Sequence, residues 1–157
     1  MKKLIGIMMV LVLLLAGCGS NTSESNQNYQ DEKKQSKIEI YSVDKDELLQ
    51  IIDNQNTVNK LLDMSDWEEL DSISANLMPK YLLLVYQEKT LLYGQDPNEE
   101  RDYELIETVI TYEDSSCVTE IISNAVIKNM IIPESALTFH YTMPDDISNS
   151  LHELIAK

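Results

Sequence analysis

Glycine and basic side chains are scarce in this chain of 157 residues. It contains four glycines, and beyond Gly19 only Gly94 remains. Loops that cradle phosphate need glycine where backbone must approach a ligand, and the G-x-S-x-G turn that presents a nucleophilic serine needs it to bend sharply. Nucleotide binding by those routes and α/β-hydrolase chemistry are therefore excluded. Gly94 itself is expected to end a strand or permit a bulge. Lysine and arginine total 12 against 27 aspartates and glutamates, a formal charge of −15. Nucleic acid and anionic headgroups are bound by clustered Lys and Arg, so no nucleic-acid partner is expected. The charge suits a cationic partner, such as a basic peptide, a basic protein face or a divalent ion. It suits equally a chain that only needs solubility.

What is present begins at the N-terminus. Met1-Lys2-Lys3 is a short basic patch, and Leu4 to Ala16 carries no charge. As a helix rising ~1.5 Å per residue this run spans roughly 20 Å, short of the ~30 Å hydrocarbon core of a bilayer. The layout is that of a secretory signal peptide, residues 1–17, which is removed. The run ends in Leu15-Ala16-Gly17-Cys18, an aliphatic residue, two small ones and a cysteine. This tetrapeptide resembles the bacterial lipobox. The resemblance implies a diacylglyceryl group on the Cys18 sulfur, cleavage between Gly17 and Cys18, and often a further acyl chain, such as palmitate, on the new N-terminus. It also implies a lipid anchor on the extracytoplasmic face of the cell membrane. Two or three acyl chains, at ~0.8 kcal/mol per buried CH₂, hold far better than one.

Removing residues 1–17 also removes Lys2 and Lys3, leaving 27 acidic residues against 10 basic ones, a charge of −17. The lipid, and not the protein surface, is then what holds the chain to a membrane. With Cys18 committed to lipid, Cys117 stands alone and an intrachain disulfide is excluded. Stability must come from a hydrophobic core, for which the rest of the chain is long enough. Gly19 to Ser36, GSNTSESNQNYQDEKKQS, has no aliphatic residue and no periodicity. With Cys18 it is expected to form a disordered tether over 18–36, with a root-mean-square reach of about 25 Å. A single domain is expected over 37–157. Lipobox, polar tether and an IEIYS-type strand together resemble the layout of small Gram-positive lipoproteins with an extracytoplasmic domain, which assigns no activity.

From Lys37 the pattern changes. In KIEIYSV, Ile38 and Ile40 alternate with charged or aromatic neighbours, which predicts a strand. Asp44 to Glu47 then either turns the chain into a second strand, LLQIID, or opens a helix capped by Asp44 with Glu47 completing a capping box. The hairpin is preferred, because Asp53-Asn54 supplies a helix start just afterwards. Val58, Leu61 and Leu62 fall at i, i+3, i+4, which predicts a helix over Gln55 to Met64. Trp67 and Leu70 are expected to continue its apolar side through an irregular loop ending near Pro79.

The second half is rich in β-formers: YLLLVYQ (81–87), TLLYG (90–94), DYELIETVITY (102–112), CVTEII, AVIKNMII and ALTFHYT (136–142). Glu88-Lys89, 95–101 and Pro133 to Ser135 are the turns between them. An antiparallel meander follows, although Asp114 could instead cap a helix carrying Val118, Ile121 and Ile122 within 114–130. At the C-terminus, Pro144 at a first helical position, Asp145 and Asp146 in the first turn, and the stripe Ile147, Leu151, Leu154, Ile155 predict a helix that docks on the sheet. The fold class is α+β: a mostly antiparallel sheet of about five to seven strands, with an internal helix and a C-terminal helix packed on one face.

Four patterns bear on chemistry. His152-Glu153-Leu154-Ile155-Ala156 begins like the zinc motif H-E-x-x-H, but its fifth position is Ala156, so His152 is read as a residue of the helix's polar face. Asp96, Asn98, Glu100 and Glu107 match positions 1, 3, 5 and 12 of a calcium loop, yet position 6 is Arg101 where glycine is needed, and an acidic hairpin connection is expected. Cys117 and His140 could make a thiol–imidazole dyad, but Val118, Ile121 and Ile122 beside Cys117 point to an inert buried thiol. The eight tyrosines fall largely in predicted strands, either half-buried in the sheet or forming an aromatic face. No catalytic residue, metal ligand or cofactor is assigned. The expected role is a non-catalytic binding or interaction module of the cell envelope; the alternatives are a small envelope enzyme or a weak divalent-cation-binding domain.

Overall fold

The computed structural model describes residues 34–96, 98–127 and 132–156. The expected signal peptide, Gly17 and Cys18 of the lipobox, and the tether as far as residue 33 lie outside the described residues. Strands β1 (Ser36–Ser42) and β2 (Glu47–Ile52) are joined by a tight turn, with Asp46 at φ 50°. The hairpin reading of 44–53 is the one observed. A helix there would have left Ile38 and Ile40 without the cross-strand partners Ile52 and Gln50.

Helix α1 (Gln55–Leu61) starts where Asn54 accepts the Thr57 N–H on its side chain at 3.1 Å. It stops three residues before the expected Met64. Asp63 takes the Ser65 N–H and the Met64 carbonyl takes the Trp67 N–H, which turns the chain toward the sheet. There Glu68–Leu70 forms a short strand, β3, paired with β7, where an irregular loop is the sequence expectation.

Strands β4 (Pro79–Glu88), β5 (Tyr103–Tyr112), β6 (Cys117–Ile122) and β7 (Thr138–Thr142) follow one another as the expected meander. Among the described residues the sheet has seven strands, all pairs antiparallel, in the order β2-β1-β4-β5-β6-β7-β3. Asp114 sits at φ 47° in the β5–β6 turn, so it does not cap a helix. Helix α2 (Asp145–Ile155) ends the fold, with Pro144 just before its first residue and Asp145 and Asp146 in its first turn.

One predicted strand is absent, and a second is not found in the part of it that is described. Thr90 to Gly94 lies in the β4–β5 connection, with Leu92 at 70% and Tyr93 at 103% exposure. Its composition favours a strand, but β4 is already flanked by β1 and β5, and β5 by β4 and β6, so neither strand that it joins offers it an edge. Gly94 therefore serves a turn and not a strand end: its φ is 91°, and the Gln95 N–H donates to the Leu92 carbonyl at 3.1 Å. In the expected strand 125–132, Asn124–Val126 is a single 3-10 turn capped by Ser123, and residues 128–131 lie outside the described residues.

Side chains on a strand alternate between faces, so register sorts them. Ile38, Ile40, Leu83, Val85, Val109 and Val118 share one face by their pairing. They join Val58 and Leu61 of α1 and Ile147 and Leu151 of α2 in one buried cluster. Ile52, Trp67 and Met143 complete it.

Candidate functional site

The opposite face is not what a wetted sheet surface looks like. Register places Leu82, Leu84, Ile110 and Ile121 together at its centre, half-buried by their neighbours, and none belongs to the helix-covered cluster. Strand β4 thus carries apolar residues on both sides, Leu82-Leu83-Leu84-Val85, a pattern found in strands covered on both faces. Among the described residues both helices pack on one side only.

Polar side chains on this open face form two groups. Lys37 lies 2.8 Å from Glu39 and over the rings of Tyr86 and Tyr103, at 5.0 and 5.3 Å. The hydrogen bond to Glu39 holds the Lys37 amine above its ordinary pKa. Tyr41 donates its hydroxyl to the other Glu39 oxygen at 3.2 Å. Across β5, β6 and β7, Tyr112 Oη and Thr119 Oγ1 are 2.7 Å apart and Thr119 Oγ1 and His140 Nδ1 3.0 Å apart, one line over three strands. The tyrosines divide accordingly. Tyr41, Tyr86, Tyr103 and Tyr112 share the open face, while Tyr81 and Tyr141 pack against the core.

This geometry also places the residues singled out from sequence. Cys117 and His140 share the open face on adjacent strands, with Cys117 opposite Thr142 and His140 opposite Thr119. They are diagonal neighbours, a relation that sets residues roughly 7 to 8 Å apart with their Cβ atoms somewhat closer. His140 Nδ1 is engaged by Thr119, and Cys117 is half-buried, not enclosed. His152 lies on the exposed side of α2 with its ring edge-on to Tyr81 at 6.5 Å. It borders a cleft of about 310 Å³ between α2 and the ends of β4 and β5, lined also by Lys80, Thr111, Asp114 and Ser148. The calcium-like pattern does not converge: Asp96 takes the Asn98 N–H within its own loop, whereas Glu107 lies inside β5 on the helix-covered side. Among the described residues no three His, Cys, Asp or Glu side chains are placed to hold a metal ion.

Glu107 nevertheless has a role that its place in that pattern did not suggest. It and Glu120, on the neighbouring strand, are carboxylates pointing into the helix-covered face. Burial first, and the Glu120 charge second, push the Glu107 carboxyl up to about 7. Burial raises Glu120 as well, opposed by a hydrogen bond with Tyr141. Glu107 Oε1 and Trp67 Nε1 are buried with no hydrogen-bond partner, and Trp67 stands edge-on to Tyr141 at 6.1 Å. The sequence signal was available: in LIETVI and VTEII a glutamate falls at an inward position of an otherwise apolar alternation.

No family model, no curated protein and no solved structure matches the chain. No described helix is long and apolar enough to cross a membrane.

Proposed function

We propose that the chain is an extracytoplasmic lipoprotein, held to the cell membrane by acyl chains on Cys18, whose folded part is a non-catalytic binding module. The observation that carries the binding reading is the second face of the sheet. Leu82, Leu84, Ile110 and Ile121 make it apolar, Tyr41, Tyr86 and Tyr103 border it, and no described helix covers it. Tyrosines beside aliphatic side chains supply contact area with a polar end, a composition suited to protein recognition. The anchor rests on the N-terminal sequence: basic start, short apolar run, Leu15-Ala16-Gly17-Cys18 and polar sequel.

Two measurements test the proposal. Metabolic labelling with a fatty acid is expected to mark the native chain and not Cys18→Ala, and only the native chain should sediment with membranes. Crosslinking from those membranes is expected to recover a partner that Leu84→Arg loses, since Leu84 is central to the open face. An unlabelled native chain rejects the anchor. Recovery unchanged by Leu84→Arg rejects the face.

A further inference from the structure

The open face ends at β2, and β2 is also an outer edge of the sheet. An edge strand presents alternate backbone N–H and C=O groups with no strand beside them, a template for adding another chain. Edges are ordinarily blunted by brevity, by lysine or proline, or by a bulge. At the other edge, β3 is three residues long and two of them are Glu68 and Glu69. Strand β2 is ELLQII, six residues without lysine or proline, and its single such device is the bulge at Leu49, between the pairs Ile40–Gln50 and Tyr41–Leu48. Leu48 is 42% exposed and Ile51 50%, the large apolar residues on the open side of this strand.

We infer that this edge takes up an extended, basic segment of a partner protein, which pairs with β2 as a further strand and carries Lys or Arg at both ends. The inference rests on the binding-module reading and names its contact. Charge selects the occupant. Asp44 and Asp46 stand before the strand, Glu47 opens it and Asp53 follows it, all exposed, with Lys45 the one basic side chain among them. A second copy of this chain is disfavoured by the same charges. Antiparallel pairing of two β2 edges would set Leu48 opposite Ile51, but it would also set Asp46 opposite Asp53 at each end, on chains of −15 apiece. A segment alternating β-branched residues between basic ends matches the apolar centre and both acidic ends.

The test titrates the full-length chain in detergent with three synthetic peptides. One alternates Thr and Val between terminal lysines, one has the same centre between glutamates, and one has lysines around a Gly-Ser centre. The Lys-ended Thr/Val peptide is expected to slow amide exchange along 47–52. It should bind about tenfold more tightly than the Glu-ended one, the size of a few exposed charge pairs. Asp46→Asn with Asp53→Asn should erase that preference. Leu48→Lys with Ile51→Lys, at exposed positions where the fold tolerates change, should abolish binding while the circular dichroism spectrum is kept. Equal binding of the Gly-Ser peptide, equal binding of the Glu-ended peptide, or protection confined to other strands overturns the inference. Doubling of the sedimenting mass with β2 protected before any peptide is added overturns it in favour of a second copy. Should the peptides fail while Leu84→Arg still loses the captured partner, the edge is wrong and the binding module stands.

Discussion

The two faces of this sheet are made of similar side chains and differ in what lies over them. On one, Ile38, Ile40, Val85 and Val109 are at most 1% exposed beneath α1 and α2. On the other, Leu82, Leu84, Ile110 and Ile121 are only half-buried. Polar groups record the same contrast. The covered face forces the Glu107 carboxyl up to about 7 and leaves one of its oxygens unpartnered. The open face pairs Lys37 with Glu39 and lines Tyr112, Thr119 and His140 into a row. Hydrophobic composition alone therefore does not mark the core here; the placement of two short helices does.

The largest expected effect tests that contrast directly. Ile40→Ala, at a fully buried position, should destabilise the fold by about 2–5 kcal/mol in urea or guanidinium unfolding. Leu84→Ala, one residue from Leu83 on the neighbouring strand but facing the other way, should cost about 1 kcal/mol or less, because its side chain is already partly solvated. Equal losses would mean that both faces are cores.

Next in size is the buried acid. The ordinary glutamate value is 4.5 and in the fold Glu107 reaches about 7, so the folded state prefers the neutral carboxyl. Its contribution to stability is fully present below pH 4.5 and is lost as the pH rises through about 7. That gap corresponds to at most about 3 kcal/mol, with stability falling from acid to neutral pH. Glu120, also raised by burial, pushes in the same direction. Glu107→Gln keeps the shape without the charge, so it should stabilise the protein at pH 8, leave it little changed at pH 4 and flatten the dependence between. A stability curve unaltered by the substitution would show that Glu107 is well solvated.

Much of this architecture was legible beforehand, and the misses have physical causes. Period-two alternation in KIEIYSV marks β1, the helix start at Asp53-Asn54 favours the hairpin, the β-rich runs from Tyr81 mark the meander, and the stripe Ile147, Leu151, Leu154, Ile155 marks α2. Strand β3 is too short to show a period, and its pairing with β7 depends on where Trp67 docks. TLLYG has strand propensity, but the two strands it connects, β4 and β5, both lie inside the sheet and offer it no edge, which only the sheet order reveals. In YLLLVYQ both parities are apolar, so no pattern could say which face the helices would choose. The buried glutamates were readable as breaks in alternation, but the meeting of Thr119 with Tyr112 and His140 requires three strands in register.

A smaller effect belongs to the helix that covers the core. Asn54→Ala removes the side-chain acceptor of the Thr57 N–H and should cost about 1 kcal/mol without altering the open face, which amide chemical shifts at Leu82 to Tyr86 would confirm by staying fixed.

The smallest effect is the sharpest test of openness. Thr119 is 4% exposed, yet its hydroxyl partners Tyr112 and His140 are only half-buried. Thr119→Val keeps the shape and removes the hydroxyl. If water reaches this face, Tyr112 Oη and His140 Nδ1 regain hydrogen bonds from solvent and the loss stays below about 1 kcal/mol, because the net worth of such bonds is small when both partners can be rehydrated. If another part of the chain or a bound partner covers the face, those two groups are left unsatisfied and the loss rises to about 1–3 kcal/mol. Measuring Thr119→Val on the purified chain and again on membranes separates the two states: a small cost in the first and a larger one in the second would locate the covering partner on this face.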